Sequence, residues 1–255
     1  MFLTHLFLIL ALDILSKMYQ LISSILFTME PEKAHYFTMD TLKKICSNSL
    51  GRALIKTLFS PKNHKPVQFC GLTFPNALGL AAGFDKNASY IDELALLGFG
   101  HIEIGTVTPR PQEGNPKPRL FRLKQDQAVI NRMGFNNQGV DVVVARLQRR
   151  KSTVIVGGNI GKNKDTPNEN AVDDYLICFE KLYDYVDYFT VNVSSPNTPN
   201  LRALQDKEPL KHILTTLINK RKEYINQNKI SRPILLKIAP DLNESQLNDI
   251  IDIFN

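Results

Sequence analysis

The stretch Asn192-Val193-Ser194-Ser195-Pro196-Asn197-Thr198-Pro199 follows the strand-like run Tyr188–Thr190. Its two prolines restrict the backbone and would hold Ser195 and Asn197 in place at small entropic cost. Taken alone, the serines could equally cap a turn. Serine is a poor base unless its own proton has somewhere to go, and no His–Asp pair is legible nearby, so a hydrolase triad is not supported. Removal of a proton from carbon, helped by water or a threonine and coupled to hydride departure, is the more economical role. A second polar cluster, Asn131-Arg132-Met133-Gly134-Phe135-Asn136-Asn137, sets three amides and a guanidinium around a glycine in an expected loop. Amides offer both donor and acceptor, which suits the edge of a pyrimidine-like ring, although Asn and Gly are also ordinary turn residues. Ala81-Ala82-Gly83 lacks side-chain bulk, so a flat ring or a phosphate could approach its backbone. Lys86 then brings a positive charge close by, or is simply a solvated lysine. Lys237, inside Leu235-Leu236-Lys237-Ile238-Ala239, is a charge within an apolar strand and is expected to be buried beside a negative cofactor group or an ion-pair partner.

Positioning these groups requires strands that end where they begin. Beyond Lys65 the hydrophobic pattern alternates strand and helix, with candidate strands Asn76–Ala82, His101–Val107, Val154–Ile160, Tyr188–Val193 and Ile234–Ile238. Such alternation implies parallel strands with crossover helices. Each strand runs into polar or glycine-rich sequence: Gly83-Phe84-Asp85-Lys86, Gly105-Thr106, Gly161-Lys162, Ser194–Asn197 and Pro240-Asp241. Functional groups at the carboxyl ends of parallel strands mark a (β/α)8 TIM barrel or a doubly wound sheet. The barrel is favoured because no GxGxxG follows the first strand. Five strands do not close it, and the 189 residues from Val67 onward fall short of the roughly 250 of a complete barrel. An incomplete barrel lacking about three βα units is therefore expected over 66–255.

Residues 18–65 read differently. Met18, Leu21, Ile22, Ile25, Leu26 and Met29 fall on one helical face. Pro31-Glu32 suits a second helix start, with a face of Ala34, Phe37, Thr41 and Ile45. A third face is Leu50, Ala53, Leu54, Thr57 and Leu58. Such stripes usually pack on the protein's own core. Here they form a separate block with excess positive charge, eight Lys/Arg against four Asp/Glu in residues 1–66, so attachment to a membrane surface competes. The apolar run 2–12 is interrupted by Asp13 and Lys17 before reaching the roughly 20 residues of a spanning helix. Residues 1–17 are thus an anchor or an upstream extension, with translation starting at Met1 or Met18. Neither a secretory signal nor an Arg-rich presequence is present.

The whole chain has 255 residues, 43% hydrophobic and 22% charged, and a net charge of +6, the profile of a globular domain with a sizeable core. No basic-aromatic interleaving argues for nucleic acid. The five histidines show no ligand spacing, so no metal is expected. Cys46, Cys70 and Cys178 form no CxxC pair, which points to a reduced, intracellular protein with its cysteines at packed positions.

Together, Leu80–Lys86, Ile104-Gly105-Thr106-Val107-Thr108-Pro109-Arg110-Pro111, Asn131–Asn137, Asn159-Ile160-Gly161-Lys162-Asn163 and Asn192–Pro199 closely resemble class 2 dihydroorotate dehydrogenases. The resemblance runs from about Met18 to the last residue. It implies a flavin-bearing barrel that oxidises dihydroorotate to orotate in pyrimidine synthesis and passes electrons to a membrane quinone. It makes Ser195 the base. Lys86, Asn131, Arg132, Met133, Gly134, Phe135, Asn192 and Asn197 would meet the substrate. FMN would be held by Ala82, Gly83, Phe84, Asp85, Lys86, Thr106, Asn159, Asn192 and Lys237, the lysine stabilising the reduced ring. His35 and Arg122 would lie on the quinone side of a helical channel. The class 1 branch carries cysteine where this chain has Ser195 and lacks the helical block, and a dihydropyrimidine dehydrogenase domain would also favour cysteine there. Asn200 departs from the family's usual glycine, but Asn tolerates the left-handed region. The implied location is the cytoplasmic face of a bacterial inner membrane, with no obligatory protein partner. The rival reading is a truncated remnant unable to hold FMN.

Overall fold

The computed structural model describes residues 19–61 and 64–254. The readings of residues 1–17 and the start at Met18 lie outside them. Two compact units are present. One contains the helical residues up to Ile45 together with Leu120–Asn131, and the other contains Cys46–Arg119 with Arg132 onward.

In the first unit, helix α1 covers 19–26 and α2 Pro31–Ile45. The Glu30 carboxylate accepts from the Glu32 and Lys33 amides at 3.1 and 3.0 Å, satisfying donors that α2 leaves open at its start. Chain segments far apart in sequence complete the unit, because α2 packs on the hairpin strand Leu120–Leu123.

The second unit begins with α3, Ser49–Phe59, capped by the Asn48 side chain on the Gly51 amide. A two-residue hairpin follows, β1 (Val67–Phe69) with β2 (Leu72–Phe74), turned by Cys70 and Gly71 at φ 48° and 78°. Positive φ at both turn positions matches the twist of the flanking strands. It also leaves Cys70 exposed, correcting the expectation of packed cysteines, which holds for Cys46 and Cys178.

The centre is a five-stranded parallel sheet built from β3 (Gly79–Leu80), β4 (His101–Val107), β7 (Ile155–Ile160), β8 (Tyr188–Asn192) and β9 (Ile234–Lys237), adjacent in that order. The remaining pair, β5 (Leu120–Leu123) and β6 (Ala128–Asn131), is the antiparallel hairpin of the first unit. The crossovers carry α4 (Ile91–Ala95), α5 (Val140–Leu147), α6 (Ala171–Leu182) and α7 (Lys207–Asn226), and α8 (Glu244–Phe254) follows β9. This is the expected (β/α) barrel architecture, incomplete, with β9 at an open edge. One face of the sheet is the core. Ile102, Ile104, Val156, Phe189 and Val191 are fully buried, as are Tyr175, Phe179, Leu182 and Leu217 on α6 and α7. Strand periodicity sends the alternate residues to the opposite, interior face.

Three expectations are corrected. The stripe on α3 does not pack on the core: Leu50, Leu54 and Leu58 are exposed, Leu50 by 80%, and only Ile55 of that helix is buried. Asn131 lies in a strand, β6, not in a loop. Lys237 is exposed, since β9 is an edge strand with no neighbour on one side to cover it.

Candidate active site

The interior face of the sheet carries a row of polar side chains. On β4 the pairing with β7 slips between Ile104 and Val107, so three residues of β4 span two of β7. The bulge brings Thr106 to the same face as Glu103, two residues before Gly105. Gly105 sits at φ 100°, and a Cβ there would lie 2.3 Å from the Asn159 carbonyl oxygen. Thr106, Asn159 and Asn192 then meet. Thr106 Oγ1 donates to Asn159 Oδ1 at 2.5 Å, and Asn192 Nδ2 donates to Thr106 Oγ1 at 2.8 Å and Asn159 Oδ1 at 3.2 Å. All three are buried. Asn192 Oδ1 accepts from both the amide and the hydroxyl of Ser194, at 3.1 and 2.9 Å. Both N–H groups and both lone pairs of the Asn192 carboxamide are therefore in use, and any bond to a ligand would replace an internal one.

Asn192 is registered against Lys237 across the β8–β9 pair. Registered partners share a face, so the lysine stands on the interior side beside the amide. No hydrogen bond or ion pair of its side chain occurs among the described residues. At the other end of the row, the Gly83 amide donates to the Gly105 carbonyl at 2.8 Å. Gly83 is exposed at φ 101°, with open space where a Cβ would point.

Ser195 and Asn197 sit in the loop after β8, where Ser195 Oγ accepts from the Asn197 amide at 3.2 Å. The Thr198 hydroxyl is buried and has no hydrogen-bond partner among the described residues. Asn115, not singled out by sequence, holds this loop to that of Arg132: its Nδ2 donates to the carbonyls of Asn197 and Arg132 at 3.2 and 2.9 Å. The Met133 carbonyl accepts from the Asn115 amide, and Gln112 Nε2 donates to the carbonyls of Gly134 and Phe135. Met133, Gly134 and Phe135 are thus set by backbone bonds. The Arg132 guanidinium donates to the Pro118 carbonyl at 2.9 and 3.2 Å. Lys86 Nζ donates to Asn136 Oδ1 at 2.6 Å.

Asp85 is buried and accepts from the Ser89 and Tyr90 amides at 2.8 Å each, at the start of α4. Burial pushes its pKa up against those bonds and the Arg146 charge. Its carboxylate thus holds a turn, while Ala82 and the exposed Phe84 flank Gly83. Asn131, His35 and Arg122 belong to the other unit. There Asn131 is exposed opposite Leu120, and His35 makes an edge contact with Tyr36. Arg122 donates to the Met29 carbonyl at 2.7 Å and lies over the Phe27 ring at 4.7 Å.

Glu103 was invisible to motif reading. Its Oε1 accepts from Asn159 Nδ2 at 2.8 Å, and its Oε2 accepts from Thr190 Oγ1 at 3.0 Å and the Tyr188 hydroxyl at 3.3 Å. Tyr188 reaches it across β7 only because position 157 is glycine: a Cβ there would lie 2.2 Å from the ring. The signal that could have found Glu103 was available, a charge inside the apolar strand His101-Ile102-Glu103-Ile104.

A family model described as dihydroorotate dehydrogenase matches residues 65–255. The chain is 58% identical over 234 residues to the dihydroorotate dehydrogenase (quinone) of Christiangramia forsetii, covering 91% of this chain and 67% of that one. It is 52% identical over 233 residues to the protein of the same name in Acinetobacter baylyi, covering 91% and 68%. A crystal structure of DHODH from Eimeria tenella in complex with ferulenol aligns with a TM-score of 0.69 at 38% identity, over 82% of this chain and 63% of that one. The chain thus spans about two thirds of the length of these curated relatives.

Proposed function

The chain belongs to the dihydroorotate dehydrogenase family, in its quinone-dependent branch, and on that premise we propose that it oxidises dihydroorotate to orotate, with FMN as its flavin and a membrane quinone as the final acceptor. The observation that carries this reading is the buried Thr106–Asn159–Asn192 cluster, with Lys237 registered against Asn192 and the Ser195 loop directly after it.

The residues present fit a flavin. Gly83 offers open backbone where a Cβ would otherwise stand, and Lys237 offers a cation with no counter-ion among the described residues, on the same face as Asn192. FMN, when bound, supplies the hydride acceptor and relays electrons to quinone. Ala82, Gly83, Thr106, Asn159, Asn192 and Lys237 would hold it, and the lysine would favour a negatively charged ring. Phe84 and Asp85 shape the turn that presents Gly83. Lys86, oriented by Asn136, would take the substrate carboxylate. Asn197 and the 131–135 segment would contact the pyrimidine edge, with Arg132 and Asn115 holding the loops.

Ser195 Oγ would take the ring-carbon proton while its own proton leaves. The orphan hydroxyl of Thr198 is the exit assigned to that proton. The exposed face of α3 and the α1–α2 unit with His35 and Arg122 would serve the membrane and quinone side. No helix among the described residues is long and apolar enough to cross a membrane, so the attachment proposed is peripheral.

The test is an anaerobic visible spectrum of the purified chain loaded with FMN, before and after dihydroorotate. Bleaching of the bound flavin band is the expected result. A chain that retains no flavin overturns the catalytic reading for these 255 residues and leaves the family assignment standing.

A further inference from the structure

We propose that Glu103 is a positioning residue that fixes the direction of every hydrogen bond in the chain Glu103–Asn159–Asn192–Ser194, and thereby which polar atoms the site presents to a ligand. A carboxamide can be turned by 180° with little change in shape, so its orientation must be imposed by a neighbour that only donates or only accepts. Thr106, Asn192 and Ser194 can each do both and cannot decide it. A carboxylate only accepts. With Oε1 of Glu103 at 2.8 Å, Asn159 must turn its Nδ2 toward the glutamate and its Oδ1 toward Thr106 and Asn192. Asn192 must then present Nδ2 to those two groups and Oδ1 to Ser194, whose neighbour is Ser195.

The carboxylate is itself held. Its second oxygen accepts from Thr190 Oγ1 and the Tyr188 hydroxyl, the latter reaching over Gly157. The consequence for the flavin rests on the function proposed above; the orientation of the amides does not.

The test exchanges the roles of two side chains. In Glu103→Gln, the new carboxamide can donate through its Nε2 to position 159, and Asn159 is released to turn over. In the double variant Glu103→Gln/Asn159→Asp, the introduced carboxylate accepts from the introduced carboxamide on one side and from Thr106 and Asn192 on the other. It restores the original direction at unchanged net charge. Two readouts are taken on the full chain: side-chain amide 15N resonances of Asn192 without flavin, and FMN affinity from quenching of its fluorescence.

In Glu103→Gln the Asn192 resonances are expected to move and FMN to bind about tenfold more weakly, the scale of one misdirected buried hydrogen bond. In the double variant the Asn192 resonances return to their wild-type positions and most of the affinity is recovered. Unchanged Asn192 resonances in Glu103→Gln overturn the proposal, and so does a double variant that restores nothing. Should Glu103→Gln fail to fold, a double variant that folds with wild-type Asn192 signals supports it, and one that also fails to fold overturns it. A wild-type chain that binds no FMN defeats the functional reading alone, because the resonances still report the direction of the amides.

Discussion

At the scale of single residues the site separates chemistry from support. Ser195 is placed by one amide, that of Asn197. Replacing it with alanine is expected to leave FMN affinity unchanged while slowing flavin reduction by dihydroorotate by about 10²- to 10⁴-fold, the usual worth of a positioned base. Stopped-flow reduction and a flavin titration on the same sample check both halves. His101 is a different case. Its ring makes edge contacts with Phe74 and Tyr188, and its Nδ1 is buried without a partner among the described residues. Burial lowers its pKa, and the nearby Glu103 charge only partly opposes this. The unfolded chain, with a value near 6.5, then binds more protons than the folded one. The contribution of His101 to stability is full above about pH 6.5 and is lost as pH falls toward the folded value. Urea midpoints at pH 7.5 and 5.5 should fall further in the wild type than in His101→Phe, and an equal fall would contradict the assignment.

At the scale of elements, the glycine in the middle of β7 is what lets three strands share one carboxylate. Gly157→Ala sets a methyl against the Tyr188 ring and should destabilise the fold by about 1–3 kcal/mol, as overpacking does. Urea unfolding followed by circular dichroism measures it. The strands themselves were open to reading. His101–Val107 and Ile234–Lys237 stand out because they are continuous apolar runs, the mark of strands in a parallel sheet. The two hairpins did not stand out, because Val67–Phe69 and Ala128–Asn131 are short and exposed on both faces, leaving no periodic burial to leave a pattern. Asn192 and Asn159 were legible as polar ends of apolar strands. Glu103 was not, since its role depends on Gly157 and Tyr188, residues whose purpose appears only once strands far apart in sequence are neighbours. Lys237 shows the reverse error. A lone charge in an apolar strand suggested burial, but an edge strand lets it remain exposed.

For the molecule as a whole, the exposed row Leu50, Leu54 and Leu58 is apolar surface in a chain of positive net charge, the combination that favours anionic lipid. Changing all three leucines to glutamine should abolish co-sedimentation with phosphatidylglycerol vesicles. Reduction of flavin by dihydroorotate should persist, since these side chains point away from the core. Loss of both together would mean that α3 supports the barrel and not a membrane. The reach of the Glu103 contacts has a kinetic corollary. They join positions 85 and 87 residues apart, and ring closures of that span are among the last a folding chain completes. Removing the carboxylate should therefore accelerate unfolding while hardly slowing refolding, and the direction of the amides would be written into the protein only after its strands have assembled.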